Sequence, residues 1–254
     1  MLFRSNDVEA RYNLGNTLQA RGKLKDAVAE YREVIRLEPG HAKAHHNLGV
    51  ALHRQGMLEE AIVEYREAIK AQPDDVPFLY TLGSALSEQG ELELAIIAYR
   101  DALRLKPDLI PAHSHLARAL VMRPGGLRRD YDDGLVHARK ALELAPNDSF
   151  SYVTLALAEY RLGHWNESRA ASEHALTLFD RADPASSFLT AMADWQTGGR
   201  ESARGRFNQA AAKMREQNAK IPLARQLWTE AAELLGQPGP DATRADVPAA
   251  AKPR

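Results

Sequence analysis

The densest reactive chemistry in the 254-residue chain comes from its nine histidines. His41 and His45 are four apart, His46 and His53 seven apart, and His113 and His115 lie further on. Imidazoles at i and i+4 share a helix face and can hold zinc or nickel. No carboxylate spacing completes such a ligand set, so packing or a hydrogen-bonded helix surface is the simpler reading. With no cysteine, thiolate ligands, thiol nucleophiles and disulfides are excluded. Neither a phosphate-binding Gly-x-x-x-x-Gly-Lys loop nor Gly-x-Gly-x-x-Gly occurs, and Gly125-Gly126 and Gly198-Gly199 are isolated pairs. His-Glu-x-x-His and Gly-x-Ser-x-Gly are also missing. The residue types predict a protein that is not an enzyme and needs neither metal nor cofactor.

Composition narrows the partners. Hydrophobic residues make up 44% and charged residues 26%, which excludes a wholly disordered chain. Lys plus Arg is 33 against 34 for Asp plus Glu, leaving a net charge of -1. That balance gives no overall pull toward nucleic acid or anionic lipid. No basic stripe interleaves with aromatics, so no nucleic-acid partner is expected. No run of about 18 apolar residues could span a bilayer, and the first residues lack a secretory apolar core. The expectation is a cytoplasmic protein with no membrane partner.

The elements that position these side chains announce themselves by repetition. Asn13-Leu14-Gly15, Asn47-Leu48-Gly49 and Thr81-Leu82-Gly83 follow one another at 34-residue steps. Ala27, Ala61 and Ala95 keep the same step, as do Tyr31, Tyr65 and Tyr99. So do Gly22, Gly56 and Gly90, and Pro39, Pro73 and Pro107. A fixed period of this size signals stacked supersecondary units. Each unit reads as two antiparallel helices. In the first, helix A is about Val8 to Arg21 and helix B about Leu24 to Leu37. Gly22 ends helix A, Pro39 stops helix B, and Gly15 and Ala27 are small where the helices cross.

These markers resemble the tetratricopeptide repeat (TPR) family, whose 34-residue unit carries Leu-Gly early, then Ala, an aromatic and Pro. The resemblance implies an all-α, right-handed superhelical solenoid of about six helix-turn-helix units with a C-terminal capping helix. Unit boundaries fall at 8–41, 42–75, 76–109, 110–148, 149–183 and 184–217, after a stub of 1–7. The fourth unit has Leu116-Ala117 for Leu-Gly and about five extra residues around Met122 to Leu127. There Arg118, Arg123, Arg128 and Arg129 meet Asp130, Asp132 and Asp133, which predicts self-neutralisation or helix capping by the acids. Residues 218–236 supply the cap, with Ile221, Leu223, Ala224, Leu227, Trp228, Ala231, Leu234 and Leu235 on one face. Residues 237–254, with four prolines, are expected to be a disordered tail. The first unit shows no comparable cap, so its outer face is expected to be exposed, which points either to a piece clipped from a longer protein or to self-association through that face.

In TPR arrays helix A lines a concave groove that holds extended peptides or partner helices. The resemblance therefore implies a protein or peptide partner on Tyr12, Asn13, Asn16, Lys43, His46, Asn47, His53, Tyr80, Ser84, Ser114 and Arg118. Asn amides present donor and acceptor together, and Tyr adds contact area at low entropic cost. The carboxylate clamp that some TPR domains use for chaperone tails maps onto Tyr12, Asn16, Asn47, Pro77 and Thr81. Both asparagines are present and all three cations are missing, so tails of that type are not expected to bind.

A second reading comes from the C-terminal part. Gly163-His164-Trp165, Phe188 through Gln196 and Glu230 through Gly236 are similar to repeat arrays associated with planctomycete-type bacterial Ser/Thr kinases. That resemblance implies a regulatory module separated from a catalytic domain. No kinase His-Arg-Asp or Asp-Phe-Gly occurs here.

Overall fold

A computed structural model describes residues 2–178, 183–216 and 221–241, with side chains from Val8 onward. Its described residues form thirteen α-helices and no strand. The chain divides into two compact units, Met1–Ala119 and Leu120–Arg254.

The first unit holds α1 (Leu2–Ala20), α2 (Leu24–Leu37), α3 (Ala42–Arg54), α4 (Leu58–Ala71), α5 (Val76–Gln89) and α6 (Leu92–Leu105). The helix α7 (Ile110–Met122) begins in it. Each odd helix packs on the even helix after it, and α2 and α4 pack on α3 and α5. The first helix starts at Leu2, six residues ahead of the boundary drawn at Val8.

The turn between the helices of a pair is a glycine in left-handed conformation, with φ of 74° at Gly22, 81° at Gly56 and 90° at Gly90. Space is not the reason for glycine there, since a Cβ at Gly22 would meet nothing within 4 Å. The backbone angle is, because a Cβ disfavours positive φ. The even helices of this unit end two residues before the proline. Glu38 (φ -138°, ψ 86°), Gln72 (-137°, 88°) and Lys106 (-134°, 87°) leave helical space together, as a following proline requires. The next helix is then capped. The Nδ1 of His41 accepts the Ala44 N–H at 3.1 Å, and Asp75 accepts the Phe78 N–H at 3.2 Å.

Inside each pair a glycine faces a tyrosine. A Cβ built on Gly15, Gly49 or Gly83 would lie 2.6, 2.6 or 2.7 Å from the ring of Tyr31, Tyr65 or Tyr99. All three rings are buried. The tyrosine thus occupies the space of the missing methyl group. Leu48, at the helix-A position following the Asn, is 2% exposed, whereas its first-unit counterpart Leu14 is 47% exposed. No described helix lies ahead of α1 to cover Leu14.

The second unit holds α8 (Arg128–Leu144), α9 (Ser149–Leu162), α10 (Trp165–Leu178), α11 (Pro184–Gln196), α12 (Arg200–Glu216) and α13 (Pro222–Leu235). In the sixth repeat Ala191 and Phe207, both buried, take the positions that Gly and Tyr hold in the first three repeats. Phe188 sits 5.7 Å from Phe207 and stacks at 6.0 Å on Trp228 of α13. The last helix packs on α11 and α12 and buries Leu223, Leu227, Trp228 and Leu235, the face its spacing predicted. Ile221, expected on that face, is instead exposed, because it is the N-cap residue ahead of the helix rather than part of it. At the insertion, Asp130 accepts the Leu127 N–H at 2.7 Å and pairs with Arg123 at 2.8 Å. One acid therefore caps α8 and neutralises an arginine. The expected disordered tail falls mainly on residues 242–254, outside the described residues. The Pro238 carbonyl accepts the Trp228 indole N–H at 3.3 Å.

Candidate functional site

Three successive helix-A segments, α1, α3 and α5, are laced together by one polar network. Asn47 on α3 donates to the Tyr12 hydroxyl at 3.1 Å and to Asn16 Oδ1 at 2.8 Å, both on α1. Asn16 Oδ1 also accepts from the buried Tyr31 hydroxyl at 2.8 Å. On the other side His46 Nδ1 meets Asn47 Oδ1 at 3.2 Å, and His46 Nε2 meets Thr81 Oγ1 of α5 at 3.1 Å. Asn47 Oδ1 is an acceptor, so Nδ1 carries a hydrogen, and Nε2 shares the single Thr81 hydroxyl hydrogen with the Pro77 and Phe78 carbonyls. His46 stacks on Phe78, with centroids 4.7 Å apart. Burial holds His46 below the ordinary imidazole range, and the Asn47 hydrogen bond and the Asp75 carboxylate oppose that shift. Further along, His53 on α3 pairs with Glu88 on α5 at 2.8 Å.

The network leaves donors over. Asn47 spends both amide hydrogens on α1. The Asn16 amide group and the hydrogen of the Tyr12 hydroxyl have no hydrogen-bond acceptor in the protein among the described residues. Both side chains are half-buried. They are fixed by their other bonds and open to an incoming carbonyl.

Other predicted residues fall elsewhere. Asn13 is exposed and donates to Glu9 at 3.1 Å, one turn back on its own helix. Lys43 is exposed. Tyr80 lies half-buried between Tyr99 at 6.0 Å and His115 at 5.7 Å, edge-on to the latter. Burial raises its phenol. Ser84 is half-buried beside Tyr99. Ser114 is buried and returns its hydroxyl to the Ile110 carbonyl at 3.2 Å. Arg118 is half-buried and engaged.

The remaining histidine near the start of the second repeat has a structural task. Both ring nitrogens of His45 face oxygens, Glu64 at 2.7 Å and the Pro39 carbonyl at 3.0 Å. Arg11 and Glu30 make the equivalent pair one unit earlier at 2.9 Å. One unit later Leu79 and Ala98, both buried, fill the same positions. One pair of positions thus joins helix A to helix B by a polar contact twice and holds buried apolar residues once. No group of three or more His, Asp or Glu among the described residues is arranged to hold a metal. Among those residues no helix is long and apolar enough to cross a membrane.

The tetratricopeptide-repeat family model matches residues 12–76 and 64–110. A tetratricopeptide repeat protein of Parabacteroides merdae superposes with a TM-score of 0.68 over 91% of this chain and 98% of its own, at 19% identity. The chain has the tetratricopeptide-repeat fold. PilW, a type IV pilus biogenesis factor, superposes on the TPR chain with a TM-score of 0.66 at 11% identity, covering 87% of this chain and 97% of PilW. YrrB, described as a TPR protein with an unusual peptide-binding site, gives 0.60 at 18% identity over 66% of this chain and 84% of its own. No curated protein matches the TPR chain in sequence. Nothing in these likenesses bears on the kinase-associated subtype.

The network was beyond sequence reasoning in its pairing. Asn47 repeats Asn13 in register, yet it bonds to Asn16. The available signal was Asn16 itself, unique to the first unit, since Val50 and Ser84 take its place later.

Proposed function

We propose that this protein is a non-enzymatic scaffold that binds an extended polypeptide segment along the α1, α3 and α5 face. One observation carries the proposal: Tyr12 and Asn16 are held rigidly by Asn47 and still have unspent hydrogens. A peptide carbonyl accepts from them without any side chain first having to be ordered, which lowers the entropic cost of binding. Among the described residues the face holds no metal ligand set, and its one hydroxyl–imidazole contact, Thr81 with His46, is tied to the Pro77 and Phe78 carbonyls, so holding is the chemistry it supports. Binding of displayed random peptides to the purified chain, repeated with Tyr12→Phe and Asn16→Ala, tests it. Peptides retained by the wild type and lost by both variants support the face. Peptides retained equally by all three proteins place the site elsewhere.

The exposed Leu14 adds a finer claim, self-association through α1. Sedimentation of wild type and Leu14→Glu checks it: a dimer lost on substitution supports it, and two monomers contradict it. The kinase-associated reading rests on the similarity of segments 163–165, 188–196 and 230–236 and is tested by looking for a kinase reading frame beside the gene. A cytoplasmic location is the reading for the free scaffold, and cell fractionation checks it.

A further inference from the structure

A pocket of about 310 Å³ opens where α5 and α7 begin, walled by Val76, Pro77, Tyr80, Leu109 and Pro111, with Thr81 and Lys106 adding polar atoms. Its size lies at the small end of the ~300–1,000 Å³ found for ligand sites, enough for one bulky side chain and too little for a large cofactor. The walls are apolar, and two are prolines in the first turns of their helices. Proline carries no N–H, so these helix starts offer fewer backbone donors than usual to an anion. Polar recognition then falls on side chains.

Three polar side chains are at hand. The Thr81 hydroxyl is already engaged with His46 Nε2 and the carbonyls of Pro77 and Phe78. The Tyr80 hydroxyl makes no hydrogen bond in the protein among the described residues, though its ring is held by Tyr99 and His115. Lys106 is the one charged lining residue. It is exposed, it ends α6, and no carboxylate pairs with it among the described residues. The nearby carboxylate of Asp75 is committed to the Phe78 N–H.

We propose that this pocket seats a bulky apolar side chain of the bound segment, with an adjacent Asp or Glu ion-paired to Lys106 and accepting from the Tyr80 hydroxyl. An internal acidic residue fits better than a chain end, because terminal carboxylates are usually taken by nests of backbone N–H groups, and prolines stand here instead. The inference rests on the proposed peptide-binding function and names its specificity. It also explains a departure of this chain from the chaperone-tail clamp. Pro77 and Thr81, at two positions where that clamp would place cations, here line an apolar cavity, and the single cation comes from the end of a helix B.

The test pans a phage-displayed random dodecapeptide library against the full chain, Lys106→Glu and Lys106→Gln, with circular dichroism confirming that each is folded. Wild type should enrich a bulky apolar residue next to Asp or Glu. Lys106→Glu should enrich the same apolar residue next to Lys or Arg, and bind the wild-type peptides at least tenfold more weakly. Lys106→Gln should lose the charge preference without reversing it. Binders with identical preferences on all three proteins overturn this inference and leave the peptide-binding reading standing. A folded wild type that enriches no peptide overturns both.

Discussion

Asn47 on α3 donates an amide hydrogen to Asn16 Oδ1 on α1 at 2.8 Å, across the seam between two successive repeats. The same amide group reaches Tyr12, and its carbonyl oxygen meets His46. One side chain thus joins three others and sets the register of neighbouring repeats. Removing it strands partly buried polar groups, and each net hydrogen bond is worth about 0.5–1.5 kcal/mol. Asn47→Ala should cost the fold about 1–3 kcal/mol in urea unfolding. Asn13→Ala, which loses one exposed bond to Glu9, should stay within about 0.5 kcal/mol of wild type. Equal effects would contradict the distinction between the two asparagines.

The glycine-tyrosine contact gives a second prediction. Gly49→Ala places a methyl group 2.6 Å from Tyr65 and 3.1 Å from the Ala61 carbonyl oxygen. Overpacking of this kind costs about 1–3 kcal/mol. Gly205→Ala, in α12 with nothing within 4 Å of the new methyl, should stabilise by about 0.5–1 kcal/mol through helix propensity. Thermal melts of the two variants should move in opposite directions.

The repeated tyrosines differ at their hydroxyls. Tyr31 donates to Asn16, whereas the buried Tyr99 hydroxyl has only the Ser84 and Ser87 side chains beside it and makes no well-formed hydrogen bond. Tyr31→Phe should therefore cost about 0.5–1.5 kcal/mol. Tyr99→Phe should be neutral or stabilising, because a buried unpaired hydroxyl is itself a cost of about 1–3 kcal/mol. Burial pushes the Tyr31 phenol up to about 12 and raises Tyr65 and Tyr99 as well. Their contribution is complete below the unfolded phenol value and fades as pH rises through the folded ones.

His46 predicts the acid side. Its folded-state pKa is lowered, first by burial. Above about pH 6.5 both folded and unfolded chains hold it neutral. Below that, the unfolded chain takes up a proton that the folded chain resists, so stability falls with pH. The urea midpoint should drop between pH 7.5 and 5.5, and His46→Gln should reduce that drop. An undiminished drop in the variant would assign the acid sensitivity to other groups.

The repeat frame was legible in the sequence because its markers answer to local backbone rules. Gly22 is dictated by one φ angle and Glu38 by the proline after it. The spacing of Leu223, Leu227 and Trp228 likewise exposed the packing face of α13. The face residues were harder. Register grouped Asn13 with Asn47, but the bond that Asn47 makes needs a helix A one repeat earlier, and no described helix stands in that place for Asn13. Lys106 was not legible as a face residue because it caps the end of α6, whereas the groove register runs along the helix-A positions. Ser114 was read as outward from its position number, and the structure buries it. Helix-A numbering does not resolve the few tens of degrees that separate a lining residue from a packed one.

Photo-cross-linking tests the central claim most directly. A benzophenone side chain is placed at Tyr80, on the proposed binding face, or at Ile97, which is 57% exposed on α6, and each protein is irradiated with a library-selected peptide. The account predicts a peptide adduct at position 80 and none at position 97. An adduct at 97 with none at 80 would contradict it.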